Sequence, residues 1–388
     1  MVKDYNDCMN LREVPLPVMV DSQQQLNELV GVLSAAPRIA VDTESNSLFA
    51  YQERVCLMQF STANADYLVD PLALDDLSPL APIFADPQIE KIFHAAEYDL
   101  ICLKRDYQFE IHHVFDTMLA ARILGLPEVG LGALLRTRFG VELDKRFQRA
   151  NWGMRPLTEP MQIYAAHDTH FLFELRDSLA LELVEKELEP LAQEDFLVIS
   201  RVEGHAGNGN NTNCWKVAGA QHLTPQQAAI LDQLLRYRDD RARQADLPHF
   251  KVLSNKLLIE ICISVLHSLG ELEKVAGMSP RVFQRHGEGL YAAYQKGITS
   301  APIHRPPRPR LDMDYLGRID RLKTWRKDVA QKMKVESDVV LPRDLMEALA
   351  YHQPQTVKEL ETLMVDYPYR REKYGKRLLK ILHKEDVS

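Results

Sequence analysis

Short apolar runs in the first half of the chain predict a sheet. The runs at residues 39–41, 55–60 and 65–69 follow one another closely, which is typical of strands that pair antiparallel. Two more runs, at 92–94 and 114–115, are each followed by a helical pattern, which favours parallel strands joined through helices. The pattern therefore predicts an α/β domain with a mixed sheet.

The apolar positions after residue 220 follow a helical period instead. A Gly/Asn tract at 204–213 (GHAGNGNNTN) and a Pro/Arg tract at 300–310 (SAPIHRPPRPR) have the composition of linkers. We therefore predict one α/β domain followed by two all-α domains, with the boundaries 1–213 (core about 20–200), 220–298 and 312–388.

The two helical units repeat each other at a shift of 88 residues without a gap. Under this shift Tyr237 falls on Trp325 and Gly287 falls on Gly375. A register that is kept between these positions indicates a duplicated domain. We expect Tyr237 and Trp325 to pack inward, because aromatic residues at helical spacing usually face a core.

Two acidic residues directly follow the apolar run at 39–41. Asp42 and Glu44 occupy positions i and i+2, and alternate residues of a strand face the same side of a sheet. We therefore expect their two carboxylates to lie side by side.

A second pair of polar residues lies in a helical segment at 161–172. Tyr164 and Asp168 are four residues apart, so they lie on one side of the predicted helix. Asp99 follows the run at 92–94 and opens a helix, which puts it at a strand-to-helix corner. In α/β sheets such corners carry functional residues.

Clustered carboxylates repel one another unless a cation joins them. Oxygen ligands, without Cys or His at metal-ligand spacing, favour Mg²⁺ or Mn²⁺ over Zn²⁺. An acid after a strand is also common as a helix cap or in a solvated turn, so one acid alone would not indicate a metal site. Four acids at these strand, corner and helix positions together predict a divalent metal site, formed by Asp42, Glu44, Asp99 and Asp168.

Three segments of this set resemble the exonuclease motifs of the DEDD superfamily. They are VDTES at 41–45, HAAEYDL at 94–100 and YAAHD at 164–168. Ile163 stands where the histidine branch carries its histidine, so the third segment resembles the tyrosine branch. The resemblance implies a ribonuclease H-like exonuclease fold with a mixed sheet and 3′-5′ exonuclease activity.

The resemblance also implies how the site works. The four acids would hold two divalent ions, Mg²⁺ or Mn²⁺, about 4 Å apart, which activate a water and stabilise the leaving 3′ oxygen. Tyr164 would hold the attacking water, and a phenol pKa near 10 makes it a better orienter than base. The candidates for contacting the substrate are Thr43, Gln59 and Trp152.

Two further stretches are similar to the ribonuclease D family more narrowly. They are residues 143–157, before the third motif, and residues 115–117, a short strand leading into a helix. Together with the motifs they extend the resemblance over residues 20–200. It implies an RNA substrate with a free 3′ end, with tRNA precursors as the expected RNA. We expect a monomer, although the sequence alone leaves the oligomeric state open.

The helical units resemble the HRDC domain, a small helical module that binds nucleic acids. The resemblance in the first unit rests on LLRYRD at 234–239, DLP at 246–248 and Gly287. The second unit resembles it less closely in the middle loop. Two such units after a catalytic domain resemble the bacterial ribonuclease D layout.

Composition restricts the class of protein. Of the 388 residues 46% are apolar, which indicates a globular chain, and the start MVKDYNDCMN has no apolar core of a signal peptide. The five scattered cysteines are typical of reduced, buried thiols. We therefore expect a cytoplasmic protein without a membrane partner.

The net charge of −8 is unevenly distributed. Residues 301–388 contain 19 Lys and Arg against 14 Asp and Glu, a balance of +5, which leaves −13 for residues 1–300. Either the basic end attracts phosphates, or it is a solvated helix surface. If it attracts phosphates, removing residues 301–388 should leave a folded nuclease with weaker affinity for long RNA.

Two other functions fit parts of the pattern. A nuclease fold without activity could serve as an RNA-binding scaffold, but the presence of all four acids and the tyrosine argues against it. A 3′-5′ exonuclease acting on DNA would carry the same motifs, because metal chemistry at a phosphate does not involve the 2′ hydroxyl. The HRDC-like units and the 145–157 segment favour RNA.

Overall fold

The computed structural model describes residues 14–204, 213–306 and 312–383. Most of the two expected linkers, at 205–212 and 307–311, lies outside these residues, and so does Cys8. The other four cysteines are buried thiols, as the sequence predicts. Within the described part of the chain, no helix combines the length and apolar character needed to cross a membrane.

A six-stranded mixed sheet forms the core of the first domain, as predicted. Its strands are β1 (Val18–Val20), β2 (Arg38–Ser45), β3 (Val55–Ser61), β4 (Asp66–Val69), β5 (Glu90–Phe93) and β6 (Val114–Asp116). Their order is β1-β4-β3-β2-β5-β6. The pairs β2/β3 and β3/β4 are antiparallel, whereas β2/β5, β5/β6 and β1/β4 are parallel. The edge strand β1 has only three residues and no alternating pattern, which is why the sequence did not predict it.

In the described part of this domain, eight α-helices pack around the sheet. They are α1 (Gln23–Ala35), α2 (Ala81–Ala85), α3 (Glu97–Tyr107), α4 (Thr117–Ile123), α5 (Leu131–Phe139), α6 (Glu159–His170), α7 (Leu172–Glu185) and α8 (Glu189–Ser200). The helix expected at 161–172 is α6, which ends earlier because Phe171 leaves the helical conformation and is buried in the core. The break lets α6 pack on β3 and β4 while α7 packs on α4.

The two helical domains have the same order of elements. The first contains α9 (Pro225–Ala245), α10 (His249–Val252), α11 (Asn255–Ile263), α12 (Leu269–Leu272) and α13 (Pro280–Thr299). The second contains α14 (Met313–Met333), α15 (Ser337–Val340), α16 (Arg343–His352), α17 (Val357–Leu363) and α18 (Pro368–Leu382). All five helices of the second domain begin 88 residues after their counterparts, so the structure keeps the register of the repeat.

The chain divides into two compact units that do not follow the linear order of the domains. One unit comprises the described residues 14–45, 55–204 and 312–383. The other unit comprises residues 46–54 and 213–306. The second helical domain therefore belongs to the same compact unit as the sheet.

Buried ion pairs join α18 to α8. Arg370 is fully buried and donates to Glu194 and Asp195, and Glu194 also accepts from the backbone N–H of Arg370 and Tyr369. At a second contact Gly125 adopts a φ of +71°, and a Cβ there would lie 2.3 Å from the carbonyl oxygen of Lys334. Both contacts bring segments that are far apart in sequence close together.

Candidate metal centre and active site

The central strand β2 presents the first two acids. Asp42 lies opposite Gln59 of β3 and Glu44 lies opposite Leu57, so both acidic side chains face the same side of the sheet. Helix α6 packs on this part of the sheet. The side chain of Thr43, between the two acids, faces away from them.

Asp99 reaches the site through a corner between β5 and α3. Ala95 has a φ of +62°, and the buried carboxylate of Asp116 accepts hydrogen bonds from the N–H groups of Ala95 and Ala96. This fixes the start of α3, so Asp99 in its first turn meets β2. Its Oδ1 accepts hydrogen bonds from both the N–H (3.1 Å) and the hydroxyl of Thr43.

Three of the predicted acids converge closely. Asp42, Glu44 and Asp168 each offer a carboxylate oxygen, and these oxygens lie within 4.8 Å of one another. Asp99 is outside this group, and its Oδ1 is the oxygen that Thr43 binds. Its second oxygen has no hydrogen bond to the described residues in this structure.

The acids strongly perturb one another. Burial raises the pKa of Asp42, Glu44 and Asp99, and the charges of neighbouring acids raise these pKa values further. Burial and the charge of Asp99 raise the pKa of Asp168 to about 7. Buried carboxylates without a counter-charge are unfavourable, and a divalent cation bound by oxygen ligands would remove the cost. The donor set therefore fits divalent metal binding.

Tyr164 shares the site with Asp168, as the helical spacing predicts. Burial and the charges of Asp168, Glu44 and Asp42 raise its pKa above the ordinary value. The hydroxyl therefore remains protonated at neutral pH and can donate a hydrogen bond. This agrees with a role in orienting a water rather than in accepting a proton.

The three expected substrate contacts have other surroundings. Trp152 is 1% exposed, and its ring packs against that of Tyr164 with centroids 5.9 Å apart. Its role is therefore to position the tyrosine. Gln59 is fully buried next to Asp42, and its amide has no partner among the described residues. Thr43 is 8% exposed, and its hydroxyl and N–H both donate hydrogen bonds to Asp99. Direct contact of these three side chains with substrate therefore stays a prediction, and their burial and existing contacts disfavour it.

A cavity of about 610 Å³ opens beside the acids. Asp42, Tyr164 and Asp168 line it, together with the start of α5 and with residues that the sequence analysis did not single out as site residues: His94, Asp144, Lys145 and Gln148. Lys145 and His94 do lie in the segments that carry the family resemblance. Their place in these segments was the only sequence signal that could have identified them as site residues, because a single Lys or His has no informative spacing.

His94 enters the cavity as a neutral group. The hydroxyl of Thr117 donates to the carbonyl of Phe93 (3.0 Å), so it accepts from the Nδ1–H of His94 (2.9 Å). Burial lowers the pKa of His94 to about 4. Its Nε2 is therefore an uncharged hydrogen-bond acceptor at neutral pH.

Replacing Asp42 with Asn should stabilise the chelator-treated protein at pH 8 and have little effect at pH 4. The raised pKa values mean that the folded chain binds more protons than the unfolded chain, so the acids lower stability as pH rises from about 4 to about 7. The check is the melting temperature of both proteins in EDTA across this range. An Asp42→Asn protein that is less stable than the wild type at pH 8 in EDTA would contradict the electrostatic account.

Comparison with known proteins agrees with this geometry. Residues 17–184 match the family model described as 3′-5′ exonuclease, and residues 227–294 and 316–382 each match the HRDC domain model. The chain is 32% identical over 313 residues to Protein RRP6-like 2 of Arabidopsis thaliana, covering 76% of this chain and 36% of that protein. It is 34% identical over 258 residues to the exosome complex exonuclease RRP6 of Saccharomyces cerevisiae, covering 63% and 35%. It thus spans about a third of the length of both curated relatives.

Solved structures extend the similarity over the three domains. The crystal structure of Escherichia coli RNase D, described as an exoribonuclease involved in structured RNA processing, covers 96% of this chain and is itself covered completely. The TM-score is 0.69 and the sequence identity is 27%. The chain therefore consists of a 3′-5′ exonuclease domain followed by two HRDC domains, and it is similar to ribonuclease D over all three.

Proposed function

We propose that the protein is a metal-dependent 3′-5′ exoribonuclease that releases 5′ mononucleotides from RNA. The observation that supports this most directly is the convergence of Asp42, Glu44 and Asp168 within 4.8 Å beside the cavity that Tyr164 lines. A scaffold that had lost activity would not need to keep four mutually repelling carboxylates, one of them buried and three partly buried. The names of the relatives, an exosome exonuclease and an exoribonuclease, favour RNA over DNA.

The acids would hold the metal. Asp42, Glu44 and Asp168 offer the converging oxygens, and Asp99 adds its second oxygen. An all-oxygen donor set suits Mg²⁺ or Mn²⁺, and we propose two ions. Bound divalent ions supply an activated water and offset the negative charge that develops on the phosphate.

The remaining residues of the cavity act on water and substrate. Tyr164 donates a hydrogen bond that orients the attacking water, and the rings of Trp152 and Phe147 hold its phenol in place. Lys145 brings a positive charge to the cavity wall, which suits a phosphate. His94 supplies a neutral acceptor for a substrate hydroxyl.

The RNA that the enzyme trims belongs to the same proposal. We propose that it trims tRNA precursors, as the resemblance to ribonuclease D implies, and that it acts as a monomer in the cytoplasm. The test of the general function is incubation of 5′-labelled RNA with Mg²⁺, with the 3′ end either free or blocked. Stepwise shortening of the free strand alone supports the proposal, whereas internal fragments from both strands would overturn it.

Tyr164→Phe should lower turnover by roughly 10² while leaving RNA affinity nearly unchanged. The substitution keeps the ring between Trp152 and Phe147 and removes only the hydroxyl that orients water. Single-turnover rates give the chemical step, and binding in EDTA gives the affinity. Weakened binding with normal turnover would instead make the tyrosine a substrate contact.

A further inference from the structure

Four cations of the first HRDC domain line one open cleft. The cleft encloses about 640 Å³ between α9, α10 and α13. The cations are Arg241, Lys251, Arg281 and Arg285, and all four are exposed. The described residues that line the cleft include no acid.

A close approach of two helices brings these cations together. At Gly289 of α13, a Cβ would lie 2.3 Å from the ring of Tyr237 in α9, so only glycine fits. Beside this contact the Tyr237 hydroxyl and His286 Nδ1 form a hydrogen bond of 3.1 Å. Burial lowers the pKa of His286, and the charges of Arg285 and Arg241 lower it further. Cations from both helices therefore surround the same buried pair.

The positive charge of the cleft is not neutralised by the protein. Among the described residues no carboxylate forms an ion pair with any of the four cations, whereas other cations of this domain have acidic partners. Lys251 lies over the ring of Phe49 at 3.9 Å, and Arg241 lies over the ring of Tyr237 at 5.6 Å. Both cations are thus held in place without losing their charge.

The arrangement on α13 is unfavourable without an anion. Arg281 and Arg285 are four residues apart, and like charges at this spacing repel each other on a helix. Arg281 also lies in the first turn of α13, where the helix dipole disfavours positive charge. An anion in the cleft would relieve both effects.

The equivalent face of the second HRDC domain is used differently. At the shift of 88 residues, three of the four cations are replaced by Val329, Val339 and Tyr369. Val339 is buried in the core of the exonuclease domain, and Tyr369 packs against the same core. The neighbouring Arg370 pairs with Glu194. The second copy therefore covers this face with the protein's own chain, whereas the first copy leaves it exposed and charged.

We propose that the cleft of the first HRDC domain binds the phosphodiester backbone of the RNA substrate, at nucleotides upstream of the 3′ end. The equivalent face of the second domain docks on the exonuclease domain. The identification of RNA rests on the proposed function, but the anion site rests on the cleft itself. Three guanidinium groups and one ammonium suit successive phosphates, because guanidinium forks bind phosphate through two hydrogen bonds.

The double variant Arg241→Ala/Arg285→Ala should bind RNA more weakly. We expect the Kd for a single-stranded RNA of about 20 nucleotides to rise at least about tenfold, because two phosphate contacts are lost. The slope of log K against log salt should become shallower by about 1.4, since each contact with a single strand contributes about 0.7. A DNA strand of the same sequence should lose affinity by a similar factor, because the contact is with phosphate.

Fluorescence anisotropy of the full-length protein in EDTA measures this binding without hydrolysis. The matched control is Lys256→Ala/Lys274→Ala, which removes two exposed charges of the same domain outside the cleft and should leave Kd unchanged. Arg281→Glu should weaken binding further than a neutral substitution. Wild-type affinity and salt slope in the cleft variants, or an equal loss in the control, would overturn the proposal.

The outcome is independent of the nuclease assay. Hydrolysis of an RNA of about four nucleotides should be unchanged in the cleft variants, because such a substrate needs only the metal cavity. If the chain hydrolyses no RNA but the cleft variants still lose RNA binding, only the proposed function fails. If the chain is an active exoribonuclease and the cleft variants bind RNA normally, only this inference fails.

Discussion

Asp168→Asn should abolish hydrolysis of RNA in the presence of Mg²⁺ or Mn²⁺. The oxygen of Asp168 is one of three that converge within 4.8 Å, and an amide is a neutral and weaker ligand. A metal site that has lost one of its charges binds its ion more weakly. We expect the rate to fall by at least about 10³, corresponding to about 4 kcal/mol of transition-state stabilisation.

The fold of this variant should be intact. Burial and the charge of Asp99 raise the pKa of Asp168 to about 7, so the substitution removes a carboxylate that is unfavourable without metal. The variant should therefore melt at or above the temperature of the wild type in EDTA. Asp144→Asn is the matched control, because Asp144 lines the same cavity but lies outside the cluster of converging oxygens. Normal trimming by the Asp168→Asn protein would show that the metal site is wrongly assigned.

Arg370→Met should destabilise the unit that contains the exonuclease domain by about 3–5 kcal/mol. Arg370 donates to Glu194, to Asp195 and to the carbonyl groups of Val339 and Val340. Removing the guanidinium leaves Glu194, which is 3% exposed, as a buried charge without its partner. Unfolding in urea followed by circular dichroism measures the effect.

The control for this substitution is Lys376→Met on the same helix. Lys376 is exposed, and a surface substitution of this kind changes stability by roughly 0.5 kcal/mol or less. Equal urea midpoints for Arg370→Met and Lys376→Met would mean that the ion pairs do not join α18 to α8. The same contacts imply that removing residues 312–388 lowers the stability of the exonuclease domain, because Glu194 would lose its partner.

The chemistry of the site could be predicted from sequence because each part of it is local. The spacing of Asp42 and Glu44 on a strand, and of Tyr164 and Asp168 on a helix, fixes which side chains lie together. Asp99 was placed correctly because it follows a strand and opens a helix. The partner of Asp99 could not be predicted, because the pairing with Thr43 depends on how α3 meets β2.

Burial and contacts between distant segments could not be predicted from the sequence. Gln59 lies in the apolar run at 55–60 and Trp152 in the segment 143–157, but only the packing of α6 on the sheet decides that both are buried. Glu194 and Arg370 are 176 residues apart, and neither has a pattern that indicates its partner. The charge summed over residues 1–300 is negative and so conceals the four cations that α9, α10 and α13 bring to one cleft.

The most direct test of the central claim is a side-by-side digestion of RNA and DNA strands of the same sequence with free 3′ ends. Both strands carry a 5′ label, and the products are identified over time with Mg²⁺ and with EDTA. We predict that the RNA shortens one nucleotide at a time with release of 5′ mononucleotides, only when Mg²⁺ is present, and that DNA is degraded far more slowly. Faster degradation of DNA than of RNA, or shortening that continues in EDTA, would contradict a metal-dependent 3′-5′ exoribonuclease.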